Sequence, residues 1–365
     1  MTHRVPEPRR HAVRPSATRA GTDAAVRPRI VVADDSSLMR RILVRTLTDD
    51  GFDVVGEAQD GDEALALCIR HRPDAMTLDL HMPGTDGMAV LRALGAGGPP
   101  AVPTVVVSAF SPAQGARAVD ALAGGAFDLA AKPGVGESVA DFSAGLGEKL
   151  RAAAASGSAR RAPVTPRNVP RHTPGPASGR RLVLIACSTG GPRALAELLP
   201  ALPSPLGAGV LVVQHMPAGF TGSLAARLDG TSALHVQEAG PTAAIAPGDA
   251  LIAPGGHHLR LTDARATTLT NEPAIGGLRP RADLTIADAA RLWGPRLLLV
   301  VLTGMGRDGL DGAREVRRRG GRILVESEDT CTVYGMPRAV AEAGLADQIV
   351  PLPDMAAAIL EELAA

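Results

Sequence analysis

Short apolar runs that each end in a reactive polar residue, separated by amphipathic helical stretches, constrain this chain more than any other feature. Ile30-Val31-Val32-Ala33 leads into Asp34-Asp35, Ala75-Met76-Thr77-Leu78 into Asp79, Val102 to Val107 into Ser108, and Ala126 to Ala130 into Lys132. Val54-Val55-Gly56 supplies a fifth run, and a helix is expected from Ser37 to Leu47. Runs too short for helices, alternating with helices, predict a parallel, doubly wound sheet of the flavodoxin-like kind. The same rhythm returns further on, with strands expected at Leu182 to Ala186, Val210 to Gln214, Leu297 to Leu302 and Ile323 to Glu326. The fold class is therefore α/β with two doubly wound parallel-sheet domains, the second Rossmann-like. In such sheets ligands bind beyond the carboxyl ends of the strands, where the polar residues fall.

With 365 residues the chain is long enough for two cores. Gly, Pro, Ser, Arg and Ala crowd two stretches in which neither period survives, so the division expected is a disordered basic head at 1–28, a first domain at 29–150, a flexible linker at 151–179 and a second domain at 180–365. The formal net charge is zero, which gives no whole-chain attraction to nucleic acid or to an anionic membrane. The head is arginine-rich, but such heads are usually just solvated and it is assigned no function. Cys68, Cys187 and Cys331 are widely spaced and form no zinc or redox motif. With no apolar run of membrane length and no apolar leader, a cytoplasmic protein without membrane insertion is expected.

In the first domain, Asp34, Asp35 and Asp79 converge on one sheet edge as a hard, oxygen-rich site for Mg²⁺, with Ser108 and Lys132 ending the neighbouring strands. Lysine occurs only at 132 and 149 in a chain that otherwise uses arginine, and a compact ammonium suits phosphate oxygens. Asp34 and Asp35 as plain helix caps is the competing explanation, but caps require neither a third acid nor a lysine on other strands. With the run Asp79-Leu80-His81-Met82-Pro83 and Asp86-Gly87, the arrangement resembles the response-regulator receiver domain over about Arg29 to Leu150. The resemblance implies phosphoryl transfer from a histidine kinase to Asp79, metal held by Asp34, Asp35 and Asp79, and phosphoryl contacts from Ser108 and Lys132. Leu129 stands where that family usually has Phe or Tyr, a departure at the position of its aromatic rotamer switch.

In the second domain, the first strand stops at Cys187-Ser188-Thr189-Gly190-Gly191-Pro192, with Pro192 suited to the first turn of a helix. A serine at such a turn is exposed beside backbone N–H groups, and is either a nucleophile or a helix cap. His215 ends the next strand and can act as general base, while Asp308, after the strand at Leu297, can hold the imidazole tautomer. The order Ser, His, Asp and the residue Ala186 depart from the G-x-S-x-G elbow, so an ordinary lipase fold is not expected. A rival uses the same residues: Gly304-x-Gly306-x-x-Gly309, with Glu326 downstream, fits a dinucleotide-binding turn. It leaves Ser188 and His215 without a role, and little chain follows Glu326. Cys187 is the other possible nucleophile, but adjacent side chains on an extended segment point opposite ways. His257 and His258, after Pro254-Gly255-Gly256, read as a hairpin turn, structural or at a substrate rim.

Ser188-Thr189-Gly190-Gly191, Gln214-His215-Met216-Pro217, Leu302 to Gly309 and Tyr334-Gly335-Met336-Pro337 together resemble the CheB family, the protein-glutamate methylesterases of bacterial chemotaxis. The resemblance implies a Ser188, His215, Asp308 triad, the Met305 backbone N–H at the oxyanion site, and no cofactor for hydrolysis. It also implies methyl-accepting chemoreceptors as substrate, through glutamate methyl esters and glutamines, and a chemotaxis histidine kinase as phosphodonor. Ala186-Cys187 departs from the family's usual Gly-Ala. A phosphorylation-controlled binding module without catalysis is the alternative class.

Overall fold

The computed structural model describes residues 27–95, 101–109, 112–134, 138–157 and 181–364. The expected head, apart from residues 27 and 28, and the linker beyond residue 157 lie outside the described residues.

The first domain alternates strands and helices throughout: β1 (Arg29–Ala33), α1 (Ser37–Asp49), β2 (Asp53–Ala58), α2 (Gly61–His71), β3 (Ala75–Leu78), α3 (Gly87–Gly95), β4 (Thr104–Ser108), α4 (Pro112–Ala123), β5 (Asp128–Ala131) and α5 (Val139–Gly157). The strands pair in parallel in the order β2-β1-β3-β4-β5. This is the flavodoxin-like arrangement, and it brings the ends of β1, β3, β4 and β5 to one edge. The apolar runs form strands because both faces of the sheet are covered, so β3 is buried at every position. One difference from expectation lies at the domain end: α5 runs through the expected 150/151 boundary to Gly157. Leu146, Leu150 and Ala153 recur at helical spacing and are all buried, which keeps that last stretch on the domain.

The second domain runs β6 (Arg181–Cys187), α6 (Gly191–Leu198), β7 (Ala208–Gln214), α7 (Phe220–Asp229), β8 (His235–Glu238), β9 (Thr242–Ala244), β10 (Asp249–Ile252), β11 (His258–Leu261), β12 (Ala266–Thr270), α8 (Ala282–Trp293), β13 (Leu297–Val301), α9 (Leu310–Arg318), β14 (Arg322–Glu326), α10 (Met336–Glu342), β15 (Gln348–Val350) and α11 (Leu352–Ala364). Seven strands form a parallel sheet in the order β15-β14-β13-β6-β7-β10-β8. From β6 the chain builds outward through β7 on one side and returns to β13 on the other, so the topological switch lies at β6 and β13. A crevice opens at such a point beyond the strand ends.

A second sheet, antiparallel in the order β11-β12-β9, was not expected. It corrects the reading of His257 and His258 as a hairpin turn. The turn after β10 carries the chain from the parallel sheet into this small one, and the hairpin proper joins β11 to β12 across 262–265. His258 is fully buried in β11.

The two domains touch. α4 packs on α6 and α7. A Cβ built on Gly115 would stand 3.0 Å from Ser223 Oγ, so the helices approach closely there. Asp120 pairs with Arg227 across the same contact.

Candidate active site and phosphoacceptor site

At the first domain's edge, Asp34, Asp35 and Asp79 each offer an oxygen within 4.8 Å of the others. Lys132 Nζ lies 2.7 Å from Asp34 Oδ2 and 2.6 Å from Asp79 Oδ2. Burial pushes the Asp34 carboxyl above its ordinary range, against the pull of the Lys132 charge. Asp34 Oδ2 is buried and has the ammonium nearby without an aligned hydrogen bond. An anionic oxygen so placed fits a hard cation better than it fits a helix cap. The capping role belongs to Ser36, whose Oγ accepts from Met39 N at 3.3 Å, while Asp34 Oδ1 accepts from Ser36 N. Ser108 is buried at the end of β4 with its hydroxyl on the Ala109 carbonyl, and Leu129 is a fully buried core residue in place of an aromatic ring.

In the second domain, β6 and β7 pair through Cys187 opposite Gln214, so Ser188 and His215 follow on adjacent strand ends. The turn at Ser188 is held from below. Ser188 N–H donates to Thr303 O at 3.0 Å, and Gly191 N–H donates back to Ser188 O at 2.8 Å. Gln214 Nε2 donates to both Ser188 O and His215 O, at 3.0 and 2.9 Å, tying the two strand ends together. Two glycines are obligatory. Gly190 has φ +81°, and a Cβ there would meet Thr332 at 2.4 Å; a Cβ on Gly304 would stand 2.8 Å from Ser188 Cβ. The 303–309 loop thus crosses directly over the end of β6.

That crossing carries Asp308 from the end of β13 to His215 beyond β7. His215 Nε2 and Asp308 Oδ2 are 2.7 Å apart. Asp308 also accepts from the backbone N–H groups of Ala282 (2.7 Å), Asp283 (3.0 Å) and Gly309 (3.0 Å). Burial opposes its ionisation, but the bond and charge of His215, with the Asp283 N–H, hold the carboxyl well below the usual range. An ionised Asp308 can only accept, so Nε2 carries a proton in this pair and Nδ1 is the ring nitrogen left free of the acid. Among the described residues no hydrogen bond joins Ser188 Oγ to His215; a bond between nucleophile and base often tightens only when substrate binds.

The candidate oxyanion donors are backbone N–H groups. Among the described residues, Met305 N–H donates to no protein acceptor, and neither does Thr189 N–H. The residue after the nucleophile supplies one donor in strand-turn-helix hydrolase elbows, so Thr189 joins Met305 as a candidate. The G-x-S-x-G comparison carried that signal, and the sequence reading passed over it.

The remaining alternatives fall on geometry. Cys187 is fully buried, burial pushes its thiol up, and Sγ lies 3.1 Å from Gln214 Oε1, facing away from the edge. The dinucleotide reading needs a free helix N-terminus at α9 and an accessible acid at Glu326. Gly309 N–H and Gly312 N–H instead donate to Asp283 Oδ1 at 2.9 and 2.8 Å, leaving no such place for a pyrophosphate. Glu326 is fully buried, accepting from Thr303 N–H and the Thr330 hydroxyl.

The profile of the CheB methylesterase family matches residues 183–359, and that of the response regulator receiver domain matches residues 30–140. A protein-glutamate methylesterase/protein-glutamine glutaminase of Symbiobacterium thermophilum is 42% identical over 93% of this chain and 98% of its own length. Protein-glutamate methylesterase/protein-glutamine glutaminase 5 of Myxococcus xanthus is 42% identical over 90% of this chain and 96% of its own. The solved CheB methylesterase catalytic domain of Thermotoga maritima, 41% identical, covers 50% of this chain and 98% of that chain with a TM-score of 0.49. A strand-end serine and a His–Asp pair on one doubly wound sheet, behind a receiver on another, define a receiver-linked hydrolase architecture. The chain belongs to the CheB methylesterase family. Among the described residues, no helix is long and apolar enough to cross a membrane.

Proposed function

We propose that this chain is a phosphorylation-activated serine hydrolase that demethylates glutamate methyl esters, and deamidates glutamines, on chemoreceptors during chemotactic adaptation in the cytoplasm. The observation that carries the reading is the His215–Asp308 pair set beside Ser188 at the switch point of the sheet. His215 Nδ1 takes the Ser188 proton as Oγ attacks the side-chain carbonyl. Met305 and Thr189 N–H groups receive the developing oxyanion. The tetrahedral intermediate collapses as His215 returns the proton to the departing methoxide or amide nitrogen, releasing methanol or ammonia. Water, activated by the same imidazole, then hydrolyses the acyl-enzyme to a free glutamate. No cofactor enters this chemistry.

Control is assigned to the receiver. Asp79 is the phosphoacceptor for a chemotaxis histidine kinase, with Asp34, Asp35 and Asp79 as the residues that would hold Mg²⁺. Bound there, the ion would neutralise phosphate charge during phosphoryl transfer. Lys132 and Ser108 would contact the phosphoryl oxygens. The interdomain contact supports a shielding mode, because it reaches the nucleophile's own turn: Thr189 Oγ1 donates to Asp128 Oδ2 of the receiver at 2.5 Å, and Lys149 pairs with the same oxygen at 2.6 Å. Phosphorylation at Asp79 is then expected to weaken the contact and open the Ser188 edge.

The test is release of methanol from methyl-labelled receptor membranes, with and without phosphodonor and Mg²⁺. Stimulated release that is lost in Ser188→Ala is expected. Phosphorylation without any release, under conditions where receptors are bound, would establish the binding-module alternative instead.

A further inference from the structure

Arg281 stands just before α8, outside the triad, yet its guanidinium touches the triad carboxylate. Nε lies 3.1 Å from Asp308 Oδ1, while His215 holds Oδ2. The rest of the guanidinium is fixed as well: Nη2 donates to Asp283 Oδ2 at 2.9 Å and Nη1 to Ile275 O at 3.2 Å. Its backbone N–H donates to His258 Nδ1 at 3.2 Å, and His258 Nε2 faces Pro273 O at 3.2 Å. An imidazole that accepts at Nδ1 and donates at Nε2 is neutral, which gives buried His258 the task of seating Arg281.

Asp308 does not need this cation to satisfy its oxygens, since three backbone N–H groups and His215 already do so. The guanidinium therefore acts chiefly as a charge. A bare carboxylate favours the imidazolium beside it, and a cation on its other oxygen offsets part of that attraction. We propose that Arg281 is a positioning residue that shares the charge of Asp308 with His215, and so keeps His215 in its neutral, proton-accepting form at lower pH than the acid alone would allow. This rests on the hydrolase reading of the site.

The charged groups that face the guanidinium are Asp308 from the loop after β13, Asp283 from the first turn of α8 and Asp311 from α9, with neutral His258 from β11. Burial pushes the Asp283 carboxyl up and the neighbouring Asp308 charge adds to this, while Gly312 N–H opposes. Asp283 thus offsets Arg281 in part. The guanidinium side chain is 22% exposed, so solvent screens it moderately.

The sign is fixed by charge alone. Proton uptake by the His215–Asp308 pair adds a positive charge near Arg281, so removing Arg281 makes uptake easier. The acid limb of the pH–rate profile then moves to higher pH, by about half to one unit.

The experiment uses the full chain and two readouts: hydrolysis of a small uncharged carboxylic ester against pH, and NMR titration of isotope-labelled His215. Arg281→Gln is expected to move both midpoints up by about half to one unit, whereas Arg281→Lys stays within a few tenths of wild type. Asp283→Asn, which strips a competing anion from Arg281 while keeping an acceptor for the α9 N–H groups, is expected to move them down. An upward shift in Arg281→Gln that Arg281→Lys does not share sustains the proposal, and Arg281→Met decides it in the same way if the glutamine variant does not fold; Asp283→Asn, which also acts on Asp308 directly, checks only the sign. A folded Arg281→Gln chain with an unmoved His215 titration overturns it, as does a lysine variant that shifts like the glutamine one. If the wild type hydrolyses no ester, the hydrolase reading fails on its own, while the His215 titration still decides the role of Arg281.

Discussion

Asp128→Ala isolates the contact between the receiver and the catalytic turn without altering any residue of the catalytic domain. Asp128 lies in β5 and is nearly buried; its Oδ2 takes both the Thr189 hydroxyl and the Lys149 ammonium. A hydrogen bond to a charged group contributes roughly 1.5–3 kcal/mol, and about 1.4 kcal/mol is a factor of ten in an equilibrium. Lys149, about a quarter exposed, can return to water when Asp128 is lost, so the cost to the receiver itself is modest. If this link stabilises the closed arrangement, the closed-to-open ratio should fall between about tenfold and a hundredfold. Activity of the unphosphorylated chain should rise by up to that factor, limited by the activity of the chain from residue 179 onward. The assay is methanol release from methyl-labelled receptor membranes, before and after phosphodonor and Mg²⁺. The variant should show high basal release and a correspondingly smaller response to phosphodonor. A folded Asp128→Ala chain with wild-type basal release and full stimulation would refute the reasoning. The Thr189→Val and Asp128→Ala double-mutant cycle sharpens it, since a coupling near zero would mean that the two groups meet without stabilising the closed state.

Ser188→Ala should lower methanol release by roughly three orders of magnitude or more while the thermal midpoint stays put, and Cys187→Ala should leave release largely intact; the reverse pattern would move the nucleophile to the thiol. Asp308→Asn should cut turnover by about 10²- to 10⁴-fold, because an amide can favour the wrong imidazole tautomer, and single-turnover kinetics would place the loss in acylation. Asp79→Asn, or chelation of Mg²⁺ in the wild type, should abolish the rise on adding phosphodonor without lowering basal release. Stimulation that survives Asp79→Asn would assign the phosphoacceptor elsewhere, and stimulation that survives chelation would remove the metal from the reading.

Much of this architecture was legible because period and punctuation agree. The runs ending at Asp34, Asp79, Ser108 and Lys132 are short, apolar on both faces and followed by helices, a pattern that few arrangements besides a parallel sheet accommodate. The strands of the second large sheet that carry Ser188, His215 and Asp308 have the same character. The small sheet β11-β12-β9 was not legible. Its strands are three to five residues long, and β9 and β12 are only partly buried, so neither an apolar run nor a clean alternation marks them. The extension of α5 past residue 150 was hidden because only alanines anchor it, Ala153 buried and Ala152 and Ala154 partly so, in an alanine-rich stretch that also reads as linker. The contact of Thr189 with Asp128, and that of Arg281 with Asp308, could not be found from spacing at all. The partners lie 61 residues apart in the first case and, for Arg281, across a loop after a different strand.

The same topology explains how Ser188, His215 and Asp308, in that chain order, can be brought to one edge of the sheet. Ser188 follows β6, His215 follows β7 on one side of it, and Asp308 follows β13 on the other. Left on their own strand ends, the acid and the base would be separated by the nucleophile. The 303–309 loop removes that separation by passing over the end of β6, which requires a residue without a side chain where it meets Ser188 Cβ. Gly304 meets that need, and the bonds from Gly335 N–H and Met336 N–H to Gly304 O pin the crossing from above. Thr303 is pinned from below through its N–H to buried Glu326. A glycine spacing that reads as a phosphate-binding turn is here the consequence of a different demand. Gly304 lets one backbone cross another, Gly306 turns it with φ +76°, and Gly309 begins α9 with φ +96° so that Asp308 faces His215. Fingerprint and triad compete for the same residues, and the carboxylates of Asp283 and Asp308 at the start of α9 count against the fingerprint, since an anionic ligand would have to displace both.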